Sequence, residues 1–240
     1  MRTLEIAGLT VRLVGGTDRE GGGTGPLVVL LHGYGAPGED LVPLWRVLDV
    51  PREVRFAFPA APLEPPDFAA YGGRAWWNID VAALQQAAAQ GKARDLSREV
   101  PAGLPEARAR VIEVLDGLQR ELHVSGESLV LGGFSQGAML ACDLALRTDR
   151  PLAGLVLLSG TLLSRDAWQP LMAARSALPI LQSHGVQDPL LPFELAMQLR
   201  DLWRDAGASV EWVEFRGGHE LPQNVLEALA KFVRRVVQST

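Results

Sequence analysis

The sequence predicts an α/β fold in which helices cover both faces of a mostly parallel sheet. From residue 27 to the end, short apolar runs of buried-strand length alternate with segments that have helical apolar spacing. The segments between them are short, as expected when helices connect neighbouring parallel strands. Because no repeat, low-complexity tract or linker interrupts this alternation, we expect one domain spanning residues 1–240.

The composition is that of an ordinary globular chain and argues against several kinds of partner. Hydrophobic residues make up 48% of the 240 residues, charged residues make up 21%, and the net charge is −5. The lack of a basic cluster argues against nucleic acid and anionic membrane surfaces. No apolar run reaches the roughly 18 residues of a membrane-spanning helix, and the first residues lack a signal-peptide pattern. We therefore expect a cytoplasmic protein with no integral membrane segment, and the composition leaves a homodimer open.

The N-terminal quarter is predicted to form three strands and one helix. Residues 2–14 alternate like one half-buried strand interrupted at Gly8, and the glycines in residues 15–26 indicate a flexible hairpin loop. A buried strand, a helix, another strand and a proline-rich loop follow at Leu27–Leu31, Glu39–Leu48, Val54–Phe58 and Pro59–Pro66.

Two adjacent tryptophans, Trp76 and Trp77, lie in the irregular stretch 71–80. Large aromatic residues in a loop either line a binding site or pack in the core, and both interpretations stay open here. The stretch 81–104 begins with fair helix propensity and then becomes irregular. Two interpretations stay open for it as well: a mobile cap over a site or a solvated surface segment.

Strands and helices alternate regularly through the second half of the chain. Pro105 opens a helix whose apolar residues recur at helical spacing up to Leu122. Ser164 is expected to cap a short helix over residues 166–174. The other strands are expected at Leu129–Leu131, Leu155–Leu158, Pro179–Ser183 and Val210–Phe215, with helices starting at Ala138, ending at Ala206 and running from about Pro222 to Val237.

The central motif is Gly133-Phe134-Ser135-Gln136-Gly137, which lies between a buried strand and a helix. A serine in such a turn takes a strained backbone conformation that lifts its hydroxyl above the sheet, and the flanking glycines allow close chain approach. The five residues alone would also suit a tight turn. The strand before, the helix after and the partners downstream favour Ser135 as a nucleophile.

Two backbone amides are candidates for an oxyanion hole, the site that binds the negative charge of a reaction intermediate. The amide of Gln136 follows the serine at the start of the helix, whose N-terminal end favours negative charge. The amide of Tyr34 lies in the glycine-rich loop 32–38, after the strand Leu27–Leu31. The alternative for this loop is a turn that simply requires glycine.

A serine hydroxyl needs a base that takes its proton and a third group that orients the base. Among the four histidines, His219 follows the last strand and suits the base in both position and chain order. His184 ends a strand but precedes the acid candidate. His32 is expected to pack or to form a hydrogen bond, and His123 is expected to be solvated at a helix end.

Asp188 is the preferred acid because it follows the strand Pro179–Ser183, at the sheet edge where reactive groups collect. Asp166, after the preceding strand, stays a rival. No metal-binding or phosphate-binding motif is completed, so no metal and no cofactor is expected. The single cysteine, Cys142, lies on the apolar helix after Ser135 and is expected to be buried.

These motifs together resemble the phospholipase/carboxylesterase family of α/β-hydrolases, which includes carboxylesterases and acyl-protein thioesterases. The similarity covers nearly the whole chain from about Leu27. The segments that carry it are Leu31–Gly35, Ala75–Ile79, Gly133–Gly137, His184–Pro192 and Gly218–Glu220. The chain departs from the family pattern at Asn78, where relatives often carry an acid, and in the less familiar segment 81–104. Both departures concern the choice of substrate.

The resemblance implies an α/β-hydrolase fold and hydrolysis of short- to medium-chain carboxylic esters, or of thioesters, through an acyl-enzyme. The alternatives are acyl-protein thioesterase or lysophospholipase activity, hydrolysis of an amide or lactone, and a non-catalytic binding protein that keeps the fold. The implied triad is Ser135, Asp188 and His219, the implied oxyanion donors are the amides of Tyr34 and Gln136, and substrate contacts are expected from Trp76, Trp77 and Leu190.

Overall fold

The computed structural model describes residues 1–80 and 95–238, whose strands form one nine-stranded sheet. The strands are β1 Arg2–Ile6, β2 Leu9–Gly16, β3 Glu20–Gly22, β4 Leu27–Leu31, β5 Arg55–Pro59, β6 Leu129–Phe134, β7 Gly154–Leu158, β8 Ile180–Gly185 and β9 Val210–Phe215. The helices are α1 Leu44–Val47, α2 Leu104–Leu122, α3 Gln136–Arg147, α4 Arg165–Met172, α5 Phe193–Asp205 and α6 Gln223–Gln238. Short 3-10 turns occupy Ala69–Tyr71, Gly126–Ser128 and Ala173–Arg175.

The sheet is mostly parallel, as predicted. Its strand order is β1-β2-β5-β4-β6-β7-β8-β9, with β3 beside β2. The pairs β1 with β2 and β2 with β5 are antiparallel, whereas each neighbouring pair from β5 across to β9 is parallel. The carboxyl ends of β4, β6, β7, β8 and β9 therefore lie at one edge of the sheet, where binding crevices form in such folds.

The central strands contribute to two hydrophobic cores because successive side chains of a strand point to opposite faces. On one face Leu27, Val29 and Leu31 pack with apolar residues of α2, α3, α4 and α5. On the other face Val28 and Leu30 pack with residues of α1 and α6. Helices therefore cover both faces, which confirms the predicted fold class.

The prediction for the N-terminal strand is wrong in one respect. Residues 2–14 form an antiparallel hairpin of β1 and β2 instead of one interrupted strand. The turn residues Ala7 and Gly8 have φ of 53° and 74°, the backbone conformation of tight turns that join paired strands. The predicted loop 15–26 is also shorter than expected, because β2 extends to Gly16 and pairs with β3.

Two helix predictions are corrected as well. The helix expected over residues 39–48 is reduced to α1, since Pro43 lacks the amide hydrogen that a longer helix would need and turns precede it. Ser164 precedes α4 as expected but does not cap it, because its hydroxyl donates to the carbonyl of Glu99 at 2.7 Å. The remaining strands and helices agree with the predictions to within a few residues.

The segment interpreted as a cap or as a solvated surface segment is described only in part. Residues 81–94 lie outside the described residues, and residues 95–103 lead into α2. Within the described ranges, no helix has the length and apolarity needed to cross a membrane.

Candidate active site

Ser135 lies at the junction of β6 and α3, at the carboxyl edge of the sheet. Its φ of 55° and ψ of −118° fall in a region that residues with a side chain rarely occupy. Such a backbone costs about 1–3 kcal/mol and persists only where the surroundings hold it. The amide of Ser135 donates to the carbonyl of Leu158 on β7 at 2.9 Å, and its carbonyl accepts from the amides of Ala138 and Met139. These contacts hold the turn.

Two glycines allow the chain to pass close to this turn. A Cβ atom on Gly137 would stand 2.0 Å from the carbonyl oxygen of Leu31, so any larger residue would push α3 away from β4. A Cβ atom on Gly33 would stand 3.2 Å from Cβ of Ser135. The loop that carries Tyr34, the predicted second oxyanion donor, therefore runs directly beside the serine.

A cavity of about 640 Å³ opens at this edge of the sheet. Ser135 and His219 both line it, together with Tyr34 and residues of the loops around it. Most of its wall is apolar, and the aromatic and aliphatic residues of the wall include Phe68, Trp77, Ile79, Leu96, Met139, Leu163, Leu190 and Leu191. A volume of this size is in the range of small-molecule binding sites.

Asp188 and His219, which are 31 positions apart, are hydrogen-bonded in the structure. Nδ1 of His219 lies 2.7 Å from Oδ2 of Asp188, whose side chain is fully buried. The other carboxylate oxygen accepts the amides of Leu190 and Leu191, each at 2.9 Å. Burial alone would raise the pKa of Asp188, but the bonds from His219 and these two amides outweigh it, and the pKa lies below its ordinary value.

His219 is thereby held with its ring beside the serine turn. Its ring centroid lies 4.7 Å from that of Phe134, the residue that precedes Ser135. A carboxylate that accepts the Nδ1 hydrogen leaves Nε2 as the free acceptor of the imidazole. A serine hydroxyl and an oriented imidazole on one cavity are the groups that nucleophilic acyl transfer requires.

A second histidine, His184, touches the same carboxylate, and sequence reasoning missed this contact. Its Nε2 lies 3.0 Å from the carbonyl oxygen of Leu191 and 3.3 Å from Oδ2 of Asp188. Burial lowers the pKa of His184, which favours a neutral ring whose Nε2 carries the hydrogen that both oxygens accept. The placement of His184 four residues before Asp188 was visible in the sequence, but the direction of its ring was not.

The remaining predicted candidates lie elsewhere. His123 is exposed at the end of α2, and Asp166 is exposed in the first turn of α4, so neither lines the cavity. Burial raises the pKa of the Cys142 thiol, which is fully enclosed as expected. Among the residues that the structure describes, no group of three histidine, cysteine or carboxylate side chains is arranged to hold a metal ion.

The two tryptophans have different environments. Trp77 lines the cavity, and Leu190 lies at its wall with 55% of its surface exposed. Both tryptophans are only 2% exposed and belong to the hydrophobic core, but Trp76 is not part of the wall. The pocket-wall interpretation therefore fits Trp77, which also packs in the core, whereas core packing alone fits Trp76. Asn78, where the chain departs from the family pattern, also lines the cavity.

The chain is similar to known hydrolases over most of its length. The model of the family described as phospholipase/carboxylesterase matches residues 21–237. The acyl-protein thioesterase 1 of Neurospora crassa is 29% identical over 218 residues, which cover 86% of this chain and 84% of that protein. The acyl-protein thioesterase 1 of Mycosarcoma maydis is 28% identical over 231 residues, which cover 86% and 89% of the two chains.

Two of the solved structures with similar folds are named as an esterase and a carboxylesterase. Esterase PE8 has a TM-score of 0.80 at 28% identity and covers 95% of this chain and 99% of its own. The Bacillus cereus carboxylesterase has a TM-score of 0.71 at 20% identity, over 95% of this chain and 94% of that one. The second likeness bears on the fold alone.

Proposed function

The chain belongs to the phospholipase/carboxylesterase family of hydrolases, and on that premise we propose that it is a serine hydrolase of short- to medium-chain carboxylic esters. The observation that carries the proposal is the hydrogen bond between the buried Asp188 carboxylate and His219, which orients an imidazole at the same cavity that Ser135 lines. Neither residue would need this arrangement in a cavity that only binds a ligand.

In the proposed first step, Nε2 of His219 takes the hydroxyl proton of Ser135 while Oγ attacks the ester carbonyl. Asp188 holds the imidazolium that forms, through the 2.7 Å contact to Nδ1. The carbonyl oxygen becomes negative and accepts hydrogen bonds from the amides of Tyr34 and Gln136. The amide of Gln136 is free to do so because the first amides of a helix have no partner inside it.

The intermediate then collapses. The bond to the alcohol breaks, and His219 returns its proton to the departing oxygen, which leaves an acyl group on Ser135. Water is the nucleophile of the second half of the reaction. His219 takes a proton from the water molecule while the water oxygen attacks the acyl carbonyl. The bond between the acyl carbon and Oγ of Ser135 then breaks, Oγ takes the proton that His219 holds, and the acid leaves, so the cycle needs no cofactor.

The apolar wall of the cavity suits the binding of an apolar acyl group. Phe68, Trp77 and Leu163 supply aromatic and aliphatic surface on which each buried methylene contributes about 0.8 kcal/mol. Similar proteins are named both esterase and acyl-protein thioesterase. A thioester therefore stays the second candidate substrate, since the same attack on a carbonyl releases a thiol instead of an alcohol.

Replacement of the serine tests the proposal. We expect Ser135→Ala to lower kcat for p-nitrophenyl butyrate by about a millionfold, the usual cost of losing such a nucleophile. Ser209→Ala changes an exposed serine before β9 and should retain full activity. Activity of Ser135→Ala within about tenfold of the unchanged protein would contradict the assignment.

A fluorophosphonate probe separates an enzyme from a binding protein with the same fold. We expect stoichiometric labelling, located at Ser135 by peptide mass spectrometry, because the probe reacts only with an activated serine. An unlabelled protein, or labelling that survives Ser135→Ala, would favour the non-catalytic alternative.

A further inference from the structure

Trp76 is the centre of a buried set of hydrogen bonds beneath the cavity. Its indole Nε1 donates to the carbonyl oxygen of His32 at 3.0 Å, and its backbone amide donates to Oε1 of Gln136 at 2.9 Å. Nε2 of Gln136 donates to the carbonyl of Trp77 at 2.8 Å. Gln136, His32 and Trp76 are at most 2% exposed, so water does not compete for these bonds.

Gln136 connects this set to one side of the proposed oxyanion hole. The oxygen of its side-chain amide accepts from the backbone amide of Trp76, and the nitrogen donates to the backbone carbonyl of Trp77. Its backbone amide is the proposed donor at the start of α3. The residue whose backbone amide is the proposed oxyanion donor is therefore the same residue whose side chain binds the backbone of Trp76 and Trp77.

His32 connects the set to the other side. Its ring lies between two backbone groups: Nε2 accepts the amide of Ala61 at 2.9 Å, and Nδ1 lies 2.7 Å from the carbonyl of Gly33. Burial lowers the pKa of His32 to about 4, so the ring is neutral near pH 7 and Nδ1 carries the hydrogen that Gly33 accepts. Gly33 is followed directly by Tyr34, the second proposed donor.

We propose that Trp76 is a positioning residue that sets the distance between the two oxyanion donors. The side chain of Gln136 binds the backbone of Trp76, and the indole of Trp76 binds the carbonyl of His32. His32 begins the loop that carries Tyr34, so these contacts connect the two proposed donors. This inference rests on the proposed function, because it presumes that both amides bind the negative oxygen. It also gives Trp76 a role at the site although, unlike Trp77, it does not line the cavity.

Placement matters here because donors stabilise the intermediate only when they are aimed in advance at the developing charge. Fully paired hydrogen bonds in a water-free interior are stiff, whereas a half-broken network leaves its members free to shift. The negative oxygen exists only in the transition state and intermediate. A loosened hole should therefore lower kcat and leave KM almost unchanged.

Trp76→Phe is the direct test, because phenylalanine keeps a large aromatic ring but has no N–H to offer His32. We expect kcat for p-nitrophenyl butyrate to fall by about ten- to hundredfold, less than the roughly hundred- to thousandfold loss that follows removal of a donor itself. KM should stay within about twofold.

The matched control is Trp203→Phe. Trp203 is also fully buried, and within the described part of the chain its indole nitrogen has no nitrogen or oxygen partner. The same substitution there removes comparable core volume without breaking a hydrogen bond to nitrogen or oxygen, so kcat should stay within about twofold even though the urea midpoint falls. Equal losses of kcat in the two variants, or a loss that appears in KM, would overturn the inference.

A second variant releases the other end of the set. Gln136→Met keeps the backbone amide and similar side-chain volume but loses both side-chain hydrogen bonds, and it should lower kcat to a similar extent. If the two residues act as one unit, the double variant should be no more than about twofold slower than the slower single variant. If the factors by which the two single variants lower kcat multiply in the double variant, the inference is overturned. If Trp76→Phe fails to fold, an unchanged kcat of Gln136→Met overturns it instead. A wild-type protein inert toward every ester would instead overturn the proposed function.

Discussion

At the residue scale, the histidines of this chain are distinguished by the partners of their ring nitrogens. His219 lines the cavity, and its Nδ1 bonds to Asp188. Nε2 of His184 contacts the same carboxylate. Both ring nitrogens of His32 bond to backbone groups. His123 is exposed at a helix end. Position after the last strand and chain order led to the choice of His219, but the contacts of His32 and His184 depend on where their rings point.

The buried histidines make stability depend on pH. The pKa of His32 is about 4 in the folded protein and about 6.5 when unfolded, so below pH 6.5 the unfolded chain binds a proton that the folded chain does not. Stability is therefore fully present above pH 6.5 and is lost as the pH falls toward 4. We expect the free energy of unfolding to drop by about 3 kcal/mol over this window from His32 alone.

Urea unfolding at pH 7, 5.5 and 4.5 measures this loss. His32→Gln cannot titrate and should show a flatter dependence, while a smaller slope remains because the pKa of His184 is also lowered by burial. Identical slopes for the variant and the unchanged protein would show that His32 is not the group responsible. Carboxylates with a lowered pKa, such as Asp188, contribute only at lower pH, because their stabilisation is lost below their ordinary pKa of 3.8.

At the element scale, α3 must be held firmly because its first turn carries the proposed oxyanion donor. A buried carboxylate on α3, Asp143, ties it to its neighbours. It receives Nη1 of Arg108 on α2 at 2.5 Å, Nε of Arg147 at 2.9 Å and the indole of Trp168 on α4 at 2.8 Å. The sequence shows Asp143 as one acid in an apolar helix and gives no indication of these partners.

Loss of this carboxylate should destabilise the fold. We expect Asp143→Ala to lower the free energy of unfolding by about 3 kcal/mol, because it leaves two arginines without their buried partner and an indole N–H unpaired. Both arginines are partly exposed, which keeps the effect at the lower end of the range for buried pairs. Chemical denaturation measures it.

Asp201→Ala is the matched control, since Asp201 pairs with Arg200 at an exposed position on α5. Such surface pairs contribute less than about 1 kcal/mol. Equal destabilisation by the two substitutions would mean that the Asp143 cluster does not tie the helices together.

At the scale of the whole molecule, the parallel sheet gathers distant segments at one edge. The loops after β4, β6, β8 and β9 carry Tyr34, Ser135, Asp188 and His219, and all four lie at or beside one cavity. The parallel strand order explains this arrangement, because each crossover returns the chain so that the next strand ends on the same side. The cytoplasmic location, the single domain and the homodimer stay predictions.

The apolar cavity predicts how rate depends on the length of the acyl chain. Across p-nitrophenyl esters, kcat/KM should rise by roughly two- to fourfold per methylene until the cavity is filled, since each buried methylene contributes about 0.8 kcal/mol. Leu190→Ala should reduce the preference for long chains, because Leu190 forms part of the wall. Val47→Ala changes a similarly exposed residue on α1 and should not. A flat length series would show that the acyl group does not occupy the cavity.

Most of the elements could be predicted because strand and helix patterns are local. Apolar periodicity located the central strands and the long helices, and the glycines around Ser135 showed where the chain must turn sharply. The failures were also local in origin but had competing solutions: Ala7 and Gly8 could interrupt one strand or join two, and Pro43 could begin a helix or shorten it. The pairing of β1 with β2 decided the first case, and the turns that lead up to Pro43 decided the second.

By itself the sequence determined the order of strands and helices from β4 onward, the family resemblance and the candidate residues Ser135, Asp188 and His219, because motifs and periodicity are read from neighbours in the chain. The tertiary structure alone decided which tryptophan lines the cavity and which bonds Trp76 makes. Trp76 bonds to Gln136, 60 positions away, and to His32, 44 positions away. Burial and hydrogen-bond partners of this kind arise from the packing of distant segments, which no local pattern specifies.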